Sequence, residues 1–566
     1  VASPDSSSGV AAVPQTGLTL GHFGLLFLVC LCLFLPGFAD LPLTDRDEAR
    51  FAQASRQMLD SGDLVNITFQ EQARHKKPVG IYWLQSASAY LFGTEGEPAA
   101  WPYRLPSLVG ATIAVFATAW VGTLFFGQLV GMSAAILLAG TLLLGVEARL
   151  AKTDAMLLAT IVVAQAALAK IYVLKNQGQR GTWPAVFAFW LAVGASILIK
   201  GPIIFMICGL TILYLVVAER EIRWLGMLRP FVGVLLAAAV VLPWFVAIAV
   251  ETDGAFFKTS LGGDLLAKIG TGQESHGAPP GFYFIAFWPT FWPFSVVAAL
   301  AVPWIWSRRR EPQVRFCLAW ILPSWIVLEL VATKLPHYIL PVYPALAILT
   351  AAAWRDAFAG GGMRLRKFSA FVALVGFAIC GVILAGLFAV GTAFLESAVN
   401  VAGLVMAAVT LGLLIYMIVW WRGKAEHAFN PMMALFAGAL AFNGILFHFF
   451  LPSLDTIWLS KRSAAAYAET RICPDTRLAS AGLTEPSLVF LTGTDTRLGS
   501  AEMVAKHLLE DPACAMGLVD QKSEKRLLAA LANAGKTPQA VRKITGVNYA
   551  RGKRLTLTLY RLPKGE

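Results

Sequence analysis

Apolar runs of spanning length recur from Leu18 to Leu451, and no other feature limits so sharply what this chain can fold into. A helix needs roughly 20 apolar residues to cross the hydrocarbon core of a bilayer. Such runs lie near Leu18–Phe38, Leu105–Phe125, Leu129–Val146, Ala155–Leu174, Trp183–Ile199, Ile203–Val217, Pro230–Val250, Phe282–Trp306, Phe316–Ala332, Tyr338–Trp354, Phe368–Ala393, Val401–Trp421 and Met432–Leu451. The residues are 57% hydrophobic and only 14% charged, and the mean hydropathy is +0.65. The chain therefore reads as a polytopic α-helical membrane protein with about thirteen transmembrane helices, and the soluble globular classes are excluded. The first run is too long for the core of a cleavable signal peptide and has no basic segment before it, so it reads as a retained span. Residues 1–17, rich in Ser, Ala and Val, read as a disordered leader, 18–451 as the membrane domain and 452–566 as a small α/β domain.

Charge in the loops predicts the orientation. Lys175, Arg180, Arg220, Arg223, Arg229, Arg308, Arg309, Arg310, Arg315, Arg355, Arg364, Arg366, Lys367, Arg422 and Lys424 all fall in alternate loops. The positive-inside rule makes those loops cytoplasmic, with the amino terminus. An odd number of spans then puts the carboxyl tail outside. The loops 39–103 and 251–281, the Glu147–Asp154 turn, Lys200 and Thr333–His337 join it there, which points to an active site at the outer face.

The segment Leu43–Leu59 reads as a helix headed by acids. Thr44 or Asp45 can cap it, Asp47 and Glu48 suit the first turn, and Asp47 shares a face with Arg50. Phe51, Ala54, Met58 and Leu59 form an apolar stripe. An amphipathic helix on the membrane surface and a functional carboxylate cluster both fit this pattern. The basic cluster Arg74–Pro78 suits either a lipid-headgroup anchor or a phosphate site. Asp154 can act as an N-cap or as a second functional acid, and Lys200, at a break between two short spans, suits a polar cavity. The glycine-rich loop 251–281 carries Lys258, Asp264, Lys268, Glu274 and His276 and has the length of a flap. Lys334, His337 and Tyr338 lie at a membrane boundary, where a Tyr is by default an interfacial residue.

Five strings then carry a resemblance: RDEARFA at 46–52, HKKPVGIYW at 75–83, KTDAM at 152–156, LIKGP at 198–202 and TKLPHYILP at 333–341. In this order and at these intervals they resemble the bacterial lipid A 4-amino-4-deoxy-L-arabinosyltransferases, relatives of the protein O-mannosyltransferases and oligosaccharyltransferases. The resemblance covers the whole chain. It implies a GT-C type glycosyltransferase fold in the bacterial inner membrane, working at the periplasmic face. It also implies an undecaprenyl phosphate-aminoarabinose donor, a lipid A phosphate acceptor, membrane lipids around a monomer, and resistance to polymyxin. Asp47 and Asp154 match the family's two acids needed for transfer. Lys77 and Tyr338 match residues near the lipid phosphate, and Arg50 and Lys200 fall on basic positions of its cavity. The chain departs from the family at Lys76, where Glu is common, and at Lys268, where Arg is common. No cofactor is required by this scheme. A divalent metal held by His75 and His276, with Glu71, is the one ligand set that suggests itself, although no tight ligand spacing is present.

Two other readings remain open: a transferase of the same fold acting on a protein or another glycan, and a transporter of lipid-linked sugars. The near absence of charge within the spans argues against the transporter. In the tail, Arg477–Leu483, Ser487–Leu491 and Met516–Asp520 read as strands, Ala501–Glu510 and Glu524–Ala534 as helices and Val541–Leu562 as a hairpin. Cys473 and Cys514 both lie there, in a compartment that permits a disulfide. The net charge of +12 calls for no nucleic acid, because cytoplasmic loops near anionic lipid and phosphorylated substrates explain it.

Overall fold

The computed structural model of the protein describes residues 17–93, 98–260, 277–357, 367–396, 398–423, 431–471 and 473–563. The expected leader up to residue 16 and the part of the flap that carries Lys268 and His276 lie outside the described residues.

In chain order the first helices are α1 (Leu20–Phe34), α2 (Asp47–Ser61), α3 (Gly80–Phe92), α4 (Trp101–Phe126), α5 (Gln128–Gly140), α6 (Leu142–Glu147), α7 (Asp154–Asn176), α8 (Trp183–Lys200), α9 (Ile203–Glu219) and α10 (Pro230–Glu251). Among the described residues, nine helices are long and apolar enough to cross a membrane by length and composition, and four shorter apolar ones accompany them. Each falls on one of the apolar runs read from the sequence.

Two of those runs are broken in the structure. One splits at Thr141 into α5 and α6, the other into Phe282–Thr290 and Ser295–Ser307 around Pro289 and Pro293. Proline removes a donor from the helix ladder, and a broken helix away from water must find new partners for its backbone. The breaks supply them to each other: the Leu142 N–H donates to the Trp292 carbonyl at 3.0 Å. Small residues bring other helices close, as lipid-facing bundles require. A Cβ on Gly110 of α4 would lie 2.7 Å from the Met156 Cα of α7.

The loop 39–103 does not lie flat on a membrane surface. One face of α2 buries Phe51, Ala54 and Met58 with Ile81 and Tyr82 of α3, and Ala49 and Ala52 pack with Tyr103, Ala151 and Phe490. The surface-helix expectation for α2 thus fails, because the carboxyl-terminal part covers what would have been its exposed side. Neither Thr44 nor Asp45 caps α2. Arg46 occupies the cap position with φ 64° and no side-chain cap bond.

From Leu459 on, a five-stranded sheet is built from β3 (Arg477–Ala481), β4 (Arg497–Gly499), β5 (Ala515–Asp520), β6 (Gln539–Asn548) and β7 (Lys553–Arg561); a short hairpin in the first loop supplies β1 (Thr68–Phe69) and β2 (Gln72–Ala73). The order is β4-β3-β5-β7-β6, with β3 parallel to β4 and β5 and the remaining pairs antiparallel. Ser487–Leu491, read as a strand, is instead inside the helix Pro486–Thr492. A five-residue apolar run has no decisive period, and Pro486 at the first turn favours the helix. The two sequence-predicted cysteines form a disulfide, Cys473–Cys514, with Cα atoms 5.6 Å apart.

Candidate active site

The first loop, the Glu147–Asp154 turn, the end of α8, the turn at 333–338 and the carboxyl-terminal sheet all meet at one end of the helix bundle. Glu48 fastens the first two. It is fully buried and accepts from the Thr44 N–H at 2.8 Å and the Thr44 hydroxyl at 2.7 Å on one oxygen, and from Arg104 Nε at 2.7 Å and the Ala151 N–H at 3.1 Å on the other. Arg104, equally buried, also donates to the carbonyls of Phe38, Leu41 and Pro42. Both ions are therefore fully hydrogen-bonded, the condition under which a buried pair is tolerated. Arg149 does the same for the end of α1, donating to the Leu33 and Pro36 carbonyls.

Beside this clamp lies a buried cluster of charge. Lys152 Nζ stands 3.0 Å from Glu147 Oε1 and 3.8 Å from Asp154 Oδ2, and Lys200 Nζ donates to Asp154 Oδ1. His337 adds a ring nitrogen 4.0 Å from Glu147 and another 3.7 Å from Asp154. The Tyr338 ring packs on His337 at 4.9 Å and lies 5.5 Å from Lys200 Nζ, within reach of a cation–π contact. Asp154 is the first residue of α7, one past the cap position at Thr153, and its carboxylate meets both lysines. Burial pushes the Glu147 carboxyl, at the mouth of the turn, up to about 7, opposed by Lys152 and reinforced by Asp154. Lys152 is pushed the same way for the opposite reason, since Glu147, Asp154 and Asp47 outweigh its burial and hold it protonated.

Asp47 opens onto this cluster from the first turn of α2, with Arg50 Nη1 3.9 Å from its Oδ1 and its side chain 58% exposed. Its surroundings raise the carboxyl, but Lys152, Arg74, Arg50 and His337 together hold it below the ordinary aspartate value. Asp45, two residues earlier, faces the other way. Its carboxylate accepts from Ser487 and Ser460, and its N–H donates to the Tyr549 hydroxyl at 2.6 Å. Burial lifts it to about 6, with Glu485 adding to the rise and Ser487 opposing it. Further contacts cross the same seam: Gln53 to Thr494 at 2.8 Å, Arg56 to the Phe490 carbonyl at 3.2 Å, Arg46 to the Ala550 carbonyl, and Tyr103 against Phe490 at 5.5 Å.

Of the residues singled out from the sequence, Asp154, Lys200 and Tyr338 come together directly, and Asp47 with Arg50 joins them through the field of Lys152. Lys77 is half-buried just before α3, and a Cβ on Gly80 would lie 2.8 Å from the Leu198 carbonyl oxygen, so this stretch lies against the end of α8 that carries Lys200. His75 is buried with Nε2 3.1 Å from Asn66 Oδ1 and its ring edge-on to Phe256. Those neighbours suit a packed histidine. Among the described residues no group of three His, Cys, Asp or Glu side chains stands at metal-binding spacing. Lys334, expected at the boundary, is turned onto the carbonyls of Ala278 and Val331. Sequence reading placed Glu48, Glu147, Lys152 and His337 in segments at the outer face without giving them a role in the site, and it missed Arg104 altogether. The available signal was four charges, Glu147, Arg149, Lys152 and Asp154, in an eight-residue turn between apolar helices.

Comparison with known proteins agrees with this architecture. The family described as dolichyl-phosphate-mannose-protein mannosyltransferase matches residues 25–255, the segment that holds Asp47, Lys77, Lys152, Asp154 and Lys200. The undecaprenyl phosphate-alpha-4-amino-4-deoxy-L-arabinose arabinosyl transferase of Yersinia pestis (strain Pestoides F) is 25% identical over 365 residues, spanning 62% of this chain and 64% of that protein. The crystal structure of ArnT from Cupriavidus metallidurans bound to undecaprenyl phosphate superposes with a TM-score of 0.72 at 18% identity, covering 96% of this chain and 98% of that one. The Archaeoglobus fulgidus oligosaccharyltransferase in its apo form gives 0.53 at 11% identity, over 88% of this chain and 69% of that one. The chain thus shares the fold of these solved structures, a multi-span membrane protein with a small carboxyl-terminal sheet, and its sequence similarity spans less than two thirds of the curated relatives it matches.

Proposed function

We propose that this protein is an integral membrane glycosyltransferase that moves 4-amino-4-deoxy-L-arabinose from undecaprenyl phosphate to lipid A phosphates. The observation that carries this reading is the meeting of Asp154, Lys200 and Tyr338 at one end of the bundle, with the Asp47–Arg50 pair within the field of Lys152, in a chain whose relatives are named for that donor. In the proposed reaction an oxygen of the acceptor phosphate attacks the anomeric carbon. The bond from that carbon to the donor's phosphate oxygen breaks, and its electron pair leaves with undecaprenyl phosphate. Lys200, Lys77, Arg50 and Tyr338 stabilise the growing negative charge on the leaving phosphate. Asp47 stabilises the positive charge that builds on the sugar and orients it, and Asp154 holds Lys200 in position.

The state of Asp47 favours a phosphate acceptor. A carboxyl held below its usual range is ionised at neutral pH but is a weak base, which suits a nucleophile that is already an anion. The mannosyltransferase-family match supports a second reading, transfer to a protein hydroxyl, where Asp47 would have to take a proton. No metal enters either scheme, because side-chain cations supply the positive charge. We place the amino terminus in the cytoplasm and the site in the periplasm. Basic loops at the other end and the Cys473–Cys514 disulfide support this orientation. One chain supplies every group in the scheme, so the working unit is a monomer. An amino sugar on each phosphate would lower the negative charge of the outer surface and with it the attraction for polymyxin.

Mass spectrometry of lipid A from a Gram-negative strain lacking its own transferase tests the reading. Complementation with this chain is expected to add an aminopentose, and Asp47→Asn at equal expression to lower the yield by ~100-fold or more. A chelator in the matching membrane assay is expected to leave the rate unchanged. Unmodified lipid A, with the protein in the membrane and the donor present, would transfer support to the protein-acceptor reading.

A further inference from the structure

The Glu147–Lys152 pair stands in the middle of the site without a role in the scheme above. Lys152 is half-buried, 12% exposed in its side chain, and its nearest charges are the carboxylates of Glu147 and Asp154. It is also the leading charge that holds Asp47 low, so its ammonium influences both acids of the proposed reaction. Lys200 is committed to Asp154 through a hydrogen bond, while Lys152 donates to Glu147. Glu147 in turn is 3% exposed, and its second oxygen, Oε2, is buried without a hydrogen-bond partner among the described residues. An unpaired oxygen on a buried carboxylate is costly.

We propose that Lys152 binds the donor's phosphate alongside Lys200, and that Glu147 is the counter-ion that holds Lys152 before the donor binds and takes up a proton when the phosphate claims it. This rests on the reading of the site as one for a polyprenyl phosphate. Two carboxylates, Glu147 and Asp154, balance two ammonium groups, Lys152 and Lys200, in a buried cluster. A phosphate diester entering among them adds one negative charge where an uncompensated charge is expensive. The balance is restored with least cost by protonating the acid whose proton affinity burial already raises and that has an oxygen free to carry the proton. Asp154 is unsuited, because both lysines contact it. The groups facing Glu147 are Lys152 from its own turn, Asp154 from α7, Lys200 from α8 and His337 from the 333–338 turn. The proton comes from solvent, Lys152 stays an ammonium, and no covalent bond changes. The new negative neighbour raises the proton affinity of Glu147, so binding strengthens as pH falls through neutrality.

The test is binding of undecaprenyl methyl phosphate, a diester with one charge across the range, to the full chain in nanodiscs between about pH 6 and 8. Wild type is expected to bind more tightly at the lower pH. Lys152→Met is expected to bind at least ~10-fold more weakly and Lys152→Arg to recover most of the loss, which separates lost charge from lost folding. Glu147→Gln is expected to abolish the pH slope while binding at least as well as wild type at the upper end. Equal binding by Lys152→Met and wild type, or a slope that survives Glu147→Gln and so belongs to His337, would overturn the proposal and leave the transferase reading intact. A folded wild type that does not bind the diester at any pH would overturn both.

Discussion

Asp45 and Asp47 stand two residues apart and live in opposite fields. Asp47 looks into a nest of cations and is held as a carboxylate; Asp45 is turned into the seam with Ser460, Ser487, Tyr549 and the like-charged Glu485, and is lifted to about 6. A carboxyl raised above its unfolded value of 3.8 binds more protons in the folded state between those two values. Stability contributed at that seam is therefore expected to rise as pH falls from above 6 toward 4 and to level off below. Asp45→Asn should remove this slope and raise the unfolding temperature at pH 7.5, as read by thermal unfolding in detergent across pH; an unchanged slope would remove Asp45 from the account. The acids themselves were legible in the sequence as costly charges beside a span. Their division of labour was not, because it depends on Lys152, more than a hundred residues away, and on Ser487, further still.

At the scale of elements, α2 is held between two neighbours that share no sequence proximity with it. Glu48 on its first turn is tied to Arg104 of α4 and to the backbone at Ala151, so one carboxylate sets the spacing between the turn bearing Asp47 and the turn bearing Asp154. Glu48→Gln leaves Arg104 as a buried charge without its counter-ion, and is expected to cost about 3–5 kcal/mol of stability. Glu48→Gln combined with Arg104→Met should cost less than the sum of the two, and a full additive loss in the double mutant would mean the pair is not coupled. The helix Pro486–Thr492 faces α2 from the other side. Its helical turn aims Ser487 at Asp45 and Phe490 at Tyr103, one turn apart, which a strand with its alternating faces could not do. The short apolar run there concealed this choice, whereas the amphipathic helix Ala501–Glu510 was readable to the residue, and the structure adds Ser500 as its cap.

For the molecule as a whole, the carboxyl-terminal part packs on the first loop through Ser487, Phe490 and Tyr549, and the Cys473–Cys514 disulfide closes a 41-residue separation within it. Removing that link by Cys473→Ala with Cys514→Ala is expected to lower the stability of this part by roughly 2–4 kcal/mol on loop entropy, measured by denaturant unfolding against the oxidised protein. Because Tyr549, Ser487 and Phe490 buttress α2, transfer should fall with it, more steeply on warming than in the wild type. The sequence by itself determined the membrane class, the apolar segments and the acids worth testing, because each of these rests on local composition or on charge that a bilayer penalises wherever it sits; it allowed the Cys473–Cys514 bond without fixing it. Tertiary structure alone decided which charges meet. The Glu48–Arg104 clamp, the meeting of Asp154 with Lys200 and His337 and the seam at Asp45 join segments far apart in the chain. Their energies depend on distance and burial, which no local pattern records.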